Sequence, residues 1–126
     1  MTSECQRPNR KRVYDLEERT ARFGAAVIVF ARTLPKDLVT SPLVSQVVRS
    51  ATSIGANYME ADGAESKKDF RHRTSICKRE SKETKHWLRM IATANPDRKN
   101  DCEQLWKEAQ ELTLIFSSIL LPRETQ

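Results

Sequence analysis

Along this chain apolar and small side chains recur in alternating steps of four and three. Leu16, Thr20, Phe23, Val27, Phe30 and Leu34 form one run, and Val44, Val47, Ala51, Ile54, Tyr58 and Ala61 a second. A third holds Phe70, Thr74, Cys77, Ser81, Thr84, Leu88 and Ile91, and a fourth Cys102, Leu105, Ala109, Leu112, Phe116 and Ile119. A mean step of about 3.5 residues keeps each run on one helical face, the pattern of helices packed near +20° in a left-handed supercoil. Four such stripes predict an all-α four-helix bundle. Connections of about four to eight residues hold neighbouring helices antiparallel, so up-down-up-down topology is expected.

The punctuation agrees with the stripes. Pro35 lacks an N–H and disfavours helix at the residue before it, so the first helix ends ahead of it. Ser41-Pro42 reads as an N-cap followed by a first-turn proline. Gly63 closes the second helix, and Ser66 with Asp69 resembles a capping box opening the third. Asn95-Pro96 breaks the third helix, and Asn100 or Asp101 is placed to cap the fourth. The expected organisation is a basic N-terminal arm over residues 1–12, a bundle over 13–121 and a short tail over 122–126. The arm contains Arg7, Arg10, Lys11 and Arg12.

Charge changes the picture at the third helix. Residues 67–89 carry nine Lys and Arg against three acids, a local +6 that exceeds the +5 of the whole chain. At 100° per residue Lys67, Lys68, Arg71, Lys78, Arg79, Lys82, Lys85 and Arg89 fall within an arc of about 120°. The opposite arc holds Phe70, Ile76, Cys77, Thr84, Trp87, Leu88 and Ile91. One face is built for burial and the other is a positive rail, the footprint expected for a polyanion such as RNA or DNA. The plainer reading of such a rail is a solvated helix face. Arg73 and Glu80 stand apart: both project into the apolar arc, one heptad apart, and are expected to form a buried ion pair within or between subunits.

Helix 2 is unusual in the other direction. From Pro42 to Met59 its only charged residue is Arg49. The side away from its stripe holds Ser45, Gln46, Ser50, Ser53, Ala56 and Asn57, small or neutral residues that let another backbone approach. This side is read as a subunit interface in a homo-oligomer, with Arg49, Ser53, Ala56, Asn57 and Glu60 as its candidate residues.

Composition and motifs exclude several function classes. No apolar run approaches the ~20 residues that span a bilayer, and the polar N-terminus is unlike a secretory signal. Cys5, Cys77 and Cys102 are odd in number and far apart, with no CxxC pair, which suggests a reduced, cytoplasmic protein. Glu83-Thr84-Lys85-His86 has the Glu-x-x-His spacing of di-iron bundles, but no second copy exists and Lys82 and Lys85 would repel a cation. No metal, cofactor or membrane partner is expected. No Gly-rich phosphate loop and no nucleophile–base pair can be assembled, so no catalytic residues and no enzymatic activity are expected. Trp87 and Trp106 are expected in or beside the core rather than as stacking platforms for bases.

Three segments carry a family resemblance. They are Ser53-Ile54-Gly55-Ala56-Asn57-Tyr58-Met59-Glu60-Ala61, Ser66-Lys67-Lys68-Asp69-Phe70, and the run from Ile76 through Lys78-Arg79-Glu80-Ser81-Lys82-Glu83 to Trp87-Leu88-Arg89-Met90-Ile91. With Glu108-Ala109-Gln110-Glu111-Leu112, they resemble a bacterial four-helix-bundle family. It includes proteins encoded in intervening sequences of 23S ribosomal RNA genes and the accessory variability determinants of diversity-generating retroelements. The likeness covers about residues 14–120. It implies a homopentamer around a central channel, no established catalysis, and, in the retroelement branch, association with nucleic acid and a reverse transcriptase. Asn57 and Glu60 match the family's Asn-x-x-Glu element, and Glu80, Glu83 and Trp87 its polar-then-aromatic pattern. His86 stands where relatives often carry Tyr, and Gly63 comes later than their glycine. The function expected is a non-enzymatic oligomeric accessory protein that binds nucleic acid. The alternative is a structural oligomer whose basic face meets acidic protein surfaces, with Asp101, Glu103, Glu108 and Glu111 of helix 4 able to neutralise part of the rail.

Overall fold

Each stripe lies on its own helix in the computed structural model, except that Leu34 falls in the turn after α1; the structure describes residues 8–122, with side chains from Leu16 onward. The helices are α1 (Pro8–Ala31), α2 (Thr40–Asp62), α3 (Lys67–Ala94) and α4 (Lys99–Leu120), with a 3-10 turn at Pro96–Arg98. Every member of the first stripe is buried, and the other three stripes deviate only at half-buried Val44, Phe70, Leu105 and Ile119. Val27, Val47, Ile54, Leu88, Ile91, Leu112 and Phe116 fill the centre. Their burial, at roughly 1.5–3 kcal/mol per large apolar side chain, is the main force holding the helices together.

The helices pack in a ring: α1 on α2, α2 on α3, α3 on α4, and α4 back on α1. Contacts run in opposite order along neighbouring helices. Thr40 meets Asn95, Ser50 meets Thr84 and Asn57 meets Arg73 between α2 and α3. Lys85 meets Gln110 and Arg71 meets Leu120 between α3 and α4. Gly24 and Gly55 sit where α1 and α2 come close, since a methyl built on either would already touch Thr52 or Thr20.

The helix ends differ in part from the sequence expectation. Helix α2 starts at Thr40, one residue before Ser41; Val39 at the N-cap position offers no side-chain bond, and Asp37 binds the first free N–H groups instead. Its Oδ1 accepts from the backbone N–H of Thr40 at 2.7 Å and of Val39 at 3.1 Å. Those bonds, the one from Thr40 first, hold the Asp37 carboxyl below the usual carboxylate range. Ser66 does cap α3, its Oγ accepting from Asp69 N–H at 3.1 Å. Neither Asn100 nor Asp101 caps α4, which begins at Lys99 directly after the 3-10 turn. Of the basic arm, residues 8–12 are backbone of α1, while residues 1–7 and the side chains of Arg10, Lys11 and Arg12 lie outside the described residues. No helix of the described residues is long and apolar enough to cross a membrane.

Candidate nucleic-acid interface

The periodicity of α3 gives it two flanks, one against α2 and one against α4, and the rail runs along the second. Lys67, Lys68, Arg71, Arg79, Lys82 and Arg89 are exposed, and Lys78 and Lys85 are half-buried. Arg71 Nη2 donates to the Leu120 carbonyl at 2.7 Å, which anchors the rail to the end of α4. Lys85 Nζ donates to Gln110 Oε1 and lies 5.3 Å from the centre of the Trp106 ring.

None of the eight rail cations forms an ion pair among the described residues. The acids of α4 that could have neutralised them are turned elsewhere or stay in solvent. Glu108 takes two bonds from Arg19 of α1, at 2.7 and 2.9 Å, and that contact keeps the Arg19 guanidinium firmly charged. Asp101 pairs with Arg98, 2.9 Å away, and Glu103 and Glu111 are exposed.

On the other flank the charges are consumed. Glu80 is buried, 8% exposed, and its partner is Arg49 of α2 at 3.3 Å, not Arg73. Arg49 also pairs with Glu83, whose Oε2 accepts from Trp87 Nε1 at 3.0 Å. Arg73 is half-buried and donates to Asn57 Oδ1 at 3.1 Å. One heptad along a helix leaves Arg73 and Glu80 about two turns, or 10 Å, apart, so each meets a different level of α2. His86 packs edge-on to Trp87, with ring centres 4.9 Å apart. Glu83 is thus held by Arg49 and Trp87, and no cluster of three potential metal ligands forms among the described residues.

The candidate interface residues of α2 divide. Arg49, Ser53 and Asn57 are tied into the chain itself: Asn57 Nδ2 donates to the Ser53 carbonyl at 2.9 Å and to its hydroxyl at 3.0 Å. Ala56 and Glu60 are open to solvent. Ser50, read as outward-facing because it is polar, is fully buried against α3, its hydroxyl hydrogen-bonded to that of Thr84 at 2.8 Å. A serine masked the fact that the buried arc of α2 is wider than its apolar stripe.

The sequence reading missed the α4 side of this surface. Leu88, Arg89 and Ala92 of α3 with Lys99, Cys102, Glu103, Trp106 and Lys107 of α4 line a pocket of about 560 Å³. Trp106, half-buried, packs against the core, as expected, and lines this pocket. The signal was present: 99, 103, 106 and 107 share one face of α4 by helical spacing. Cys102 lies at the floor, 3% exposed, and burial pushes its thiol up to about 11; Cys77 in the core is pushed up to about 12. Neither is a nucleophile at neutral pH.

The comparisons with known proteins agree with the fold. A crystal structure of a protein of unknown function from the S23 ribosomal protein family of Bacteroides thetaiotaomicron superposes with a TM-score of 0.76 at 25% identity. The alignment covers 85% of this chain and 99% of that one. No curated protein matches the chain. The model of the 23S rRNA-intervening sequence protein family matches residues 13–118, which takes in the first three stripes, the fourth as far as Phe116 and the whole rail, and the chain belongs to that family.

Proposed function

We propose that this protein is a non-enzymatic accessory protein that binds RNA or DNA through the α3 rail. The observation that carries the reading is that eight clustered cations have no acidic partner among the described residues, although α4 brings four acids to the neighbouring helix. A chain that used the rail to hold itself together would have spent those acids on it. Lys and Arg aligned on one face engage phosphates without reading base sequence.

The same proposal has the chain act as an up-down-up-down bundle assembled into a homo-oligomer, a pentamer by the family resemblance. In support, α1 carries no charge from Phe23 to Ala31, and Ile28, Val29 and Met59 are exposed on α1 and α2. Repeating the rail around an oligomer raises avidity wherever one strand reaches two copies. A reverse transcriptase as protein partner belongs to the retroelement branch and is proposed on resemblance alone.

The test is a salt titration of binding to a labelled RNA and a labelled DNA, with light scattering to fix the mass. Affinity is expected to fall by roughly 10³–10⁵ between 50 and 200 mM salt if about 6–10 phosphates are engaged. The scattering mass is expected at several times the 14.5 kDa of the chain. Absence of binding at low salt would sink the nucleic-acid reading, and a monomer at micromolar concentration the oligomeric one.

A further inference from the structure

Where the rail meets the start of α4, the surface stops being a row of charges and becomes a pocket. Its volume, about 560 Å³, lies within the ~300–1,000 Å³ range of small-ligand sites. Leu88, Ala92 and Cys102 make an apolar floor, and the Trp106 indole forms one wall. Arg89, Lys99 and Lys107 stand around it with a single acid, Glu103. Lys85, bound to Gln110, lies over the Trp106 ring at 5.3 Å. An apolar slot beside an aromatic ring, bordered by cations, matches one ligand chemistry closely: a flat heteroaromatic ring carrying a phosphate.

We propose that this pocket takes one unpaired base of a single-stranded nucleic acid, stacked on the Trp106 face that Lys85 does not cover, with its flanking phosphates held by Arg89, Lys99 and Lys107. The proposal rests on the nucleic-acid reading of the rail and deepens it. The rail alone holds duplex and single strand alike, because both offer phosphates. The pocket discriminates, because a base inside a duplex is stacked and paired and does not enter it, whereas an unpaired base has a free face. The second tryptophan does not share the role, since Trp87 donates to Glu83 on the α2 flank of α3.

The experiment compares three probes at low salt: a 12-mer of adenylates, a 12-mer of abasic ribose phosphates and a 12-base-pair RNA duplex. The variants are Trp106→Leu and Trp106→Phe, each checked for helicity. Wild type is expected to bind the adenylate strand more tightly than the abasic strand. Trp106→Leu is expected to weaken adenylate binding by about 5- to 100-fold, the range for losing one stacked base. The same variant should bind the abasic strand and the duplex like wild type, and Trp106→Phe should recover most of the loss. If Trp106→Leu fails to fold, Trp87→Phe leaves Trp106 as the sole indole. Its fluorescence should then be quenched by the adenylate strand and not by the abasic one.

The outcomes separate the two readings. Unchanged adenylate binding by folded Trp106→Leu, or quenching by the abasic strand equal to that by adenylates, overturns the pocket and leaves the rail standing. No binding of any probe by wild type overturns both. A loss that is equal for all three probes means that Trp106 only braces the rail, and the base pocket is rejected.

Discussion

The two flanks of α3 both carry charge and do opposite things with it. Toward α2, Glu80, Glu83 and Arg73 each find a partner within the chain, and hydroxyl and amide groups complete a polar ladder from Thr40–Asn95 through Ser50–Thr84 to Asn57–Arg73. Of the eight rail cations, Arg71 meets a carbonyl of α4 and Lys85 an amide and an indole, none of which neutralises them, and none of the eight is in an ion pair among the described residues. The difference comes from the neighbour. Helix α2 presents a single cation, Arg49, at the level of Glu80 and Glu83, while on α4 Glu108 pairs with Arg19, Asp101 pairs with Arg98, and neither Glu103 nor Glu111 pairs with a rail cation. A charge becomes structural when the adjacent helix supplies its complement, and is left for a partner when it does not.

The largest effect should come from reversing the unpaired flank. Changing Lys78, Lys82 and Lys85 together to Glu is expected to weaken RNA and DNA binding at 50 mM salt by more than about 10³-fold. The melting temperature should move by less than about 5 °C, because none of the three is in an ion pair. Binding retained by the folded variant would show that the rail is a solvated surface.

Breaking the paired flank should do the reverse. Removing one member of a fully buried pair costs roughly 3–5 kcal/mol. Arg49 is 47% exposed, which discounts the loss for Glu80→Ala to about 1–3 kcal/mol. Glu65→Ala, exposed in the loop before α3, should stay within about 0.5 kcal/mol. Nucleic-acid affinity should be unchanged in both. Denaturant midpoints that coincide for the two variants would remove the distinction between the flanks.

Alkaline pH tests the core between them. Burial raises Cys77 to about 12, Cys102 to about 11 and Tyr58 to about 12. An unfolded chain therefore sheds these protons first, so their contribution is whole below about pH 9 and is lost as pH climbs toward 11–12. Melting temperature is expected to be flat from pH 7 to 8.5 and to fall above 9, less steeply in Cys77→Ala. A flat profile to pH 10.5 would contradict thiol burial.

The smallest effect is expected from Arg19→Ala. Arg19 and Glu108 are each about a third exposed, so their two-bond contact is worth no more than about 1 kcal/mol. The variant tests the comparison from the α1 side of α4, where Glu108 faces Arg19 and not the rail. RNA binding and stability that both stay almost unchanged are expected in a side-by-side titration and melt.

Much of this was legible in the chain. The stripe residues from Leu16 to Ile119 are those that pack, and Ser66 and Gly63 mark the helix ends they were expected to mark. The misreadings share a cause. Ser50 was placed outside because its side chain is polar, yet Thr84 satisfies its hydroxyl inside the seam. Arg73 was matched to Glu80 on one helix, while each reaches across to α2. Trp106 packs beside the core as its spacing predicts, and only the fold shows that it also lines a pocket.

The sequence by itself determined four helices, their apolar faces, and a rail of one sign along α3, because helical periodicity depends only on spacing within an element. Only the tertiary structure decided which flank of α3 met Arg49 and which met Trp106. That choice depends on which helix stands on each side and at what height its side chains arrive. A period of 3.5 residues describes a face relative to its own axis and carries no record of the neighbour across it.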